Sequence, residues 1–100
     1  MKLREILPAD AEIDARFADV DVGGVTADSR TVKPGDLFVA MTGNKEDGLR
    51  YVAPAIAGGA VAVMAERVPE TPLPTDVAFV RVHDARRALA LAAAKFFPRH

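Results

Sequence analysis

The sequence predicts one α/β domain, a small open sheet, mixed or mostly parallel, flanked by helices and containing one βαβ unit. Two near-continuous apolar runs, residues 36–41 and 60–65, read as strands covered on both faces, as in parallel sheets. The segment between them places Val52, Ala55, Ile56 and Gly59 at i, i+3, i+4 and i+7, one face of a helix. The chain has 100 residues, 50% apolar and 27% charged, which fits a single domain with a modest core and not a disordered segment.

Taken in order, Leu3, Ile6 and Leu7 share one face of a short helix that Pro8 stops. Residues 9–21 carry Asp10, Glu12, Asp14, Asp19 and Asp21 against Arg16 alone, the pattern of a solvated, poorly regular acidic segment. Residues 20–26 offer a further strand, weakened by Gly23-Gly24. The strand at 36–41 follows. Asp47-Gly48 marks a turn, with Asp47 placed to cap the next helix. That helix, over 50–58, ends at Gly58-Gly59, because glycine takes the left-handed conformation without steric cost. A strand at 61–65 completes the βαβ unit, for which a right-handed crossover is expected. Residues 67–76 hold Pro69, Pro72 and Pro74 and read as an extended loop. Residues 77–82 form a third strand. Asp84 caps a helix running through Phe96, with Leu89, Ala92, Ala93 and Phe96 as its apolar stripe and Pro98 beyond its end. Arg81, Arg86, Arg87, Lys95 and Arg99, against Asp84 alone, make that region basic, mostly as the wet face of the helix.

Several functions are disfavoured. The net charge of −1 argues against bulk binding to nucleic acid or an anionic membrane. No apolar run approaches the roughly 18–20 residues of a membrane span. The N-terminus lacks the apolar core and cleavage site of a signal peptide. There is no cysteine, so disulfides, thiolate catalysis and Cys-based metal sites are excluded, and cytoplasmic residence is compatible. The two histidines, His83 and His100, stand apart, and His83 reads as a strand-end residue; no metal site is expected. Residues 43–48 have the G-x-x-x-x-G spacing of a phosphate loop, but Leu49-Arg50 stands where Lys and a hydroxyl residue are required. No G-x-S-x-G elbow is present. No catalytic residue is assigned in this chain.

What remains is a loop-rich edge. Thr26-Ala27-Asp28-Ser29-Arg30 lies between β-like segments, and residues 42–48 follow the strand at 36–41. In open α/β sheets, ligands collect outside the carboxyl ends of strands. A uracil ring and a ribose suit backbone donors and acceptors plus a serine hydroxyl. The residues alone leave a second reading open: Asp28–Arg30 as a structural pair, and Asp47-Gly48 as a turn and cap.

The run Thr26-Ala27-Asp28-Ser29-Arg30-Thr31-Val32-Lys33-Pro34-Gly35-Asp36-Leu37-Phe38-Val39-Ala40, then Gly43, Asp47-Gly48, Tyr51-Val52, and Ala55-Ile56-Ala57-Gly58-Gly59-Ala60, resembles the N-terminal domain of the Mur ligases. That family's pattern is roughly D-S-R-x-V-x-P-G-D-L-F-V-A, G, D-G and A-I-x-x-G-A. Val82-His83-Asp84-Ala85-Arg86-Arg87-Ala88-Leu89 resembles a later strand-to-helix segment. The likeness covers most of residues 22–97, in order. It is greatest to the branch that adds the third amino acid, meso-diaminopimelate or L-lysine, to UDP-N-acetylmuramoyl-L-alanyl-D-glutamate. Arg50-Tyr51-Val52 and Pro54-Ala55-Ile56 favour that branch. The branch adding D-alanyl-D-alanine shares the first blocks and stays the alternative.

The resemblance implies a three-domain cytoplasmic enzyme of peptidoglycan precursor synthesis. Its first domain binds the UDP end of the substrate. A central ATPase domain holds ATP and magnesium and forms an acyl phosphate, and a third helps bind the incoming amino acid. Carried over by position, the UDP contacts fall on Ala27, Ser29, Asn44, Lys45 and Glu46. Asp28 and Arg30 read as shaping the turn. The family's G-T-[NS]-G-K-[ST] loop, modified lysine and magnesium ligands are absent from residues 1–100. The chain is therefore expected to be an excised first domain, inactive alone and binding no cofactor. The rival from another class is a stand-alone module that binds a nucleotide sugar or a protein partner.

Overall fold

The computed structural model describes residues 1–41 and 48–97. Among these, β1 (Glu12–Ile13), β2 (Gly24–Thr26), β3 (Asp36–Val39), β4 (Ala62–Ala65) and β5 (Ala78–Arg81) form one sheet, with α1 (Val52–Ala57) before β4 and α2 (Ala85–Phe96) after β5. The order is β1-β5-β4-β3-β2. β2 to β5 are parallel, and β1 runs antiparallel to β5. The α/β class and the mixed, mostly parallel sheet are as the sequence indicates.

Strand alternation divides the core between the two faces of the sheet. Leu37, Val39, Ala62, Met64, Ala78 and Val80 pack with Leu3, Ile6, Val22 and α2. Phe38, Val63, Ala65 and Val77 pack with Val52 and Ala55 of α1 on the other face. Every residue of β3 and β4 is buried, which is why those segments read as unbroken apolar runs.

Four expectations need correction. The acidic segment is not merely solvated: it supplies β1, where Ile13 joins the α2-side core and Glu12 pairs with Arg81 across the strands at 2.8 Å. The N-terminal helix is a 3-10 turn, Leu3–Glu5, followed by buried Ile6. The helix expected over 50–58 is a 3-10 turn, Gly48–Tyr51, leading into the six-residue α1. Asp47 lies outside the described residues, and Tyr51 occupies the N-cap position of α1 without a side-chain cap bond. The stripe of α2 is rotated: Ala85, Ala88 and Ala92 are its buried residues, while Leu89 and Phe96 are only partly buried at its flanks. Small side chains on the buried line let the helix backbone sit close to the sheet.

The helix ends follow the sequence signals. Gly59 at φ +107° closes α1, with Gly59 N–H donating to Ile56 O at 2.9 Å and Ala60 N–H to Ala55 O at 3.1 Å. That pair of bonds is a Schellman motif. Asp84 caps α2 by accepting from Arg87 N–H at 3.0 Å, and Glu66 accepts from Ala85 N–H at 2.8 Å.

Candidate functional site

Parallel register sets Thr26 beside Phe38, so β2 and β3 end side by side. The chain leaves β2 at Ala27 and enters a 3-10 turn, Ser29–Thr31, with extended Asp28 at its N-cap. Asp28 Oδ1 accepts from Arg30 N–H at 2.9 Å. The Arg30 side chain returns a fork, Nε to Oδ1 at 3.0 Å and Nη2 to Oδ2 at 2.9 Å. The Asp28 carbonyl accepts from Thr31 N–H and from the Thr31 hydroxyl, both at 3.0 Å. Asp28 N–H donates to Thr26 Oγ1 at 3.1 Å, and the two threonine hydroxyls meet at 2.8 Å.

The fork has an electrostatic consequence. Hydrogen bonding from the Arg30 side chain, then from its backbone N–H, holds the Asp28 carboxyl below the usual carboxylate range. The same pairing raises Arg30 above its ordinary value. The Arg30 side chain is 87% exposed, so water screens the pair and its contribution to stability is small.

The structure brings Ala27 and Ser29 to this edge, Ala27 exposed and Ser29 half-buried. The Ser29 hydroxyl makes no hydrogen bond among the described residues. Asn44, Lys45 and Glu46 lie outside the described residues. The flanks of their segment meet, since Gly48 N–H donates to Met41 O at 2.7 Å. A side chain on Gly48 would collide with the backbone of Ala40 and Met41. The sequence reading did not single out Thr31, whose hydroxyl ties the turn to the end of β2. The available signal was a pair of threonines flanking the Asp-Ser-Arg triplet.

Among the described residues, concavities also lie away from this edge. A groove of about 700 Å³ runs between α1 and residues 67–74, lined by Leu49, Val52, Ile56, Val68 and Leu73 with Arg50. A smaller cleft of about 340 Å³ holds Asp10, Glu12, Glu66, Arg81 and His83. Its carboxylates already serve the fold: Asp10 accepts from His83 N–H, Glu66 from Ala85 N–H, and Glu12 from Arg81, each at 2.8 Å. Among the described residues, no three His, Cys, Asp or Glu are placed to hold a metal. No described helix is long and apolar enough to cross a membrane.

An open, mostly parallel sheet with a polar turn leaving the end of β2 beside the end of β3 defines an α/β domain of the kind that places ligands at its carboxyl edge. Comparison with known proteins narrows this class. The family described as "Mur ligase family, catalytic domain" matches residues 21–97, and the chain belongs to the Mur ligase family. It is 49% identical, over 98% of its length, to the UDP-N-acetylmuramoyl-L-alanyl-D-glutamate--2,6-diaminopimelate ligase of Bradyrhizobium diazoefficiens. A solved structure of an enzyme of that name superposes with a TM-score of 0.72 at 25% identity, covering 96% of this chain and 18% of the other. MurF from Acinetobacter baumannii matches with a TM-score of 0.58 at 31% identity, covering 71% of this chain and 15% of the other. The chain spans about a fifth of the Bradyrhizobium relative, 20% of its length.

Proposed function

We propose that residues 1–100 are the UDP-anchoring first domain of an ATP-dependent, amide-forming ligase. That enzyme joins 2,6-diaminopimelate or lysine to UDP-N-acetylmuramoyl-L-alanyl-D-glutamate in the cytoplasm, for peptidoglycan synthesis. The observation that carries the reading is the unspent Ser29 hydroxyl on a braced turn beside two parallel strand ends. Ala27 and Ser29 contact the uridine end, with Asn44, Lys45 and Glu46 assigned by position. The relatives' shared name supports the diaminopimelate branch. The likeness to MurF favours the D-alanyl-D-alanine branch as the second reading.

The domain contributes binding energy far from the reacting atoms, and this positions the substrate for chemistry on other domains. ATP and magnesium belong to those domains. The residues here do not fit them: Gly48–Tyr51 is a 3-10 turn that contains neither lysine nor a Ser or Thr hydroxyl, and the described residues hold no metal-ligating cluster. No step is routed through either group, and the chain alone is expected to turn over no ATP.

Titrating the isotope-labelled chain with UDP, and with the UDP-muramoyl dipeptide, tests the reading. Shifts are expected at residues 26–31, with a dissociation constant on the order of 1 mM, about −4 kcal/mol. Ser29→Ala should weaken binding by roughly 0.5–1.5 kcal/mol, one neutral hydrogen bond. Shifts that map to α2 instead would overturn the assignment.

A further inference from the structure

We propose that Asp28 is a positioning residue, one that holds the Ser29 hydroxyl in place for a nucleoside diphosphate without touching that ligand. This rests on the reading of Ser29 given above. Residues 26–31 carry five hydrogen-bonding side chains, and four of them are committed to the turn. Thr26 and Thr31 bond each other, Thr26 accepts from Asp28 N–H, and Thr31 donates to the Asp28 carbonyl. Arg30 is forked onto the Asp28 carboxylate. Only Ser29 keeps its hydroxyl for something outside the turn.

Asp28 is the hub of these bonds. Its side chain receives three N–H groups of Arg30, and its carbonyl receives two donors of Thr31. The bonds run from the residue before Ser29 to the two residues after it, so they close small rings around the Ser29 backbone. A contact held in its bound geometry loses less freedom on binding than one on a loose loop. The chemistry of residue 28 then matters in a graded way. Asparagine keeps one oxygen to accept from Arg30 N–H but cannot receive the fork on two oxygens. Alanine keeps neither.

The test is a double-mutant cycle read by UDP affinity, with a thermal midpoint recorded for each protein. Ser29→Ala and Asp28→Ala should each weaken UDP binding by about two- to tenfold. Adding Asp28→Ala to Ser29→Ala should cost nothing further, because Asp28 acts only through that hydroxyl. Asp28→Asn should recover most of the affinity. Should Asp28→Ala fail to fold, Arg30→Ala, which removes the fork and keeps the cap, takes its place in the same cycle. Affinity unchanged by Asp28→Ala while Ser29→Ala weakens it, or effects that multiply in the double variant, overturns the positioning role alone. No effect of Ser29→Ala, or no UDP binding by the parent chain, overturns the reading of the site and this role with it.

Discussion

Gly59 faces Pro34 so closely that a β-carbon on the glycine would lie 2.6 Å from Pro34 Cα and 3.0 Å from its nitrogen. The contact joins the end of α1 to the turn that opens β3, and Gly35 N–H donates to Gly59 O at 2.9 Å across it. Gly59 also sits at φ +107°, where an L side chain is strained. Gly59→Ala is expected to destabilise the fold by about 2–4 kcal/mol, strain and collision together. Urea unfolding measures this, and a loss under about 1 kcal/mol would mean the Pro34 turn withdraws freely.

Asp36 is the one buried charged residue among those described, 8% exposed. Its Oδ2 accepts from Lys33 N–H at 2.9 Å, while Lys33 O accepts from Asp36 N–H at 3.0 Å. Asp36→Ala leaves a partly buried N–H without a partner and should cost about 1–3 kcal/mol. Asp36→Asn keeps an acceptor and should cost less. The turn lies at the amino end of β3, opposite the candidate site, so UDP affinity should be unchanged in whatever fraction folds. A large drop in affinity with no loss of stability would contradict that separation.

The alanine line of α2 gives opposite outcomes for neighbouring positions. Ala92 is fully buried, and Ala92→Leu should overpack the interface at about 1–3 kcal/mol. Leu91 is 41% exposed, and Leu91→Ala should stay within about 0.5 kcal/mol. Phe96 is partly buried against the same cluster, so Phe96→Ala should fall below the about 3–5 kcal/mol of a fully buried phenylalanine. Denaturation midpoints of the three variants check the order.

The Asp28–Arg30 pair predicts a pH response. Its carboxyl titrates below the range it has in the unfolded chain, held there first by hydrogen bonding from the Arg30 side chain. The pair's stabilising effect is therefore present above that range and is lost as pH falls through the lower folded value. Carboxyl-carbon NMR should show the depressed midpoint, and Arg30→Ala should move it up toward the ordinary value. Asp19, depressed chiefly by its hydrogen bond from Arg4, should respond in the same direction to Arg4→Ala. A midpoint unmoved by Arg30→Ala would show that the fork does not persist in solution.

Much of the fold is legible without coordinates. β3 and β4 announce themselves because burial on both faces removes polar residues from the run. α1 announces its end through Gly58-Gly59 and α2 its start through Asp84, because the backbone freedom of glycine and the capping carboxylate of Asp84 both act locally. The Asp-Ser-Arg turn is legible too, since Asp28 bonds only to residues within three of itself.

The tertiary structure decided the rest. Glu12 and Ile13 become an edge strand only because Arg81 and Val80 stand opposite them, and two residues carry no period to read. The buried line of α2 falls on Ala85, Ala88 and Ala92, because closeness to the sheet selects small side chains over the larger Leu89 and Phe96. Ser29 stands out for the same kind of reason. Its composition is ordinary, and what distinguishes it is that Thr26, Asp28, Arg30 and Thr31 have bonded to one another and left its hydroxyl unused at the end of two parallel strands. Residue types and spacings are properties of the chain, but which hydrogen-bonding groups remain unspent is settled only once every neighbour has been placed.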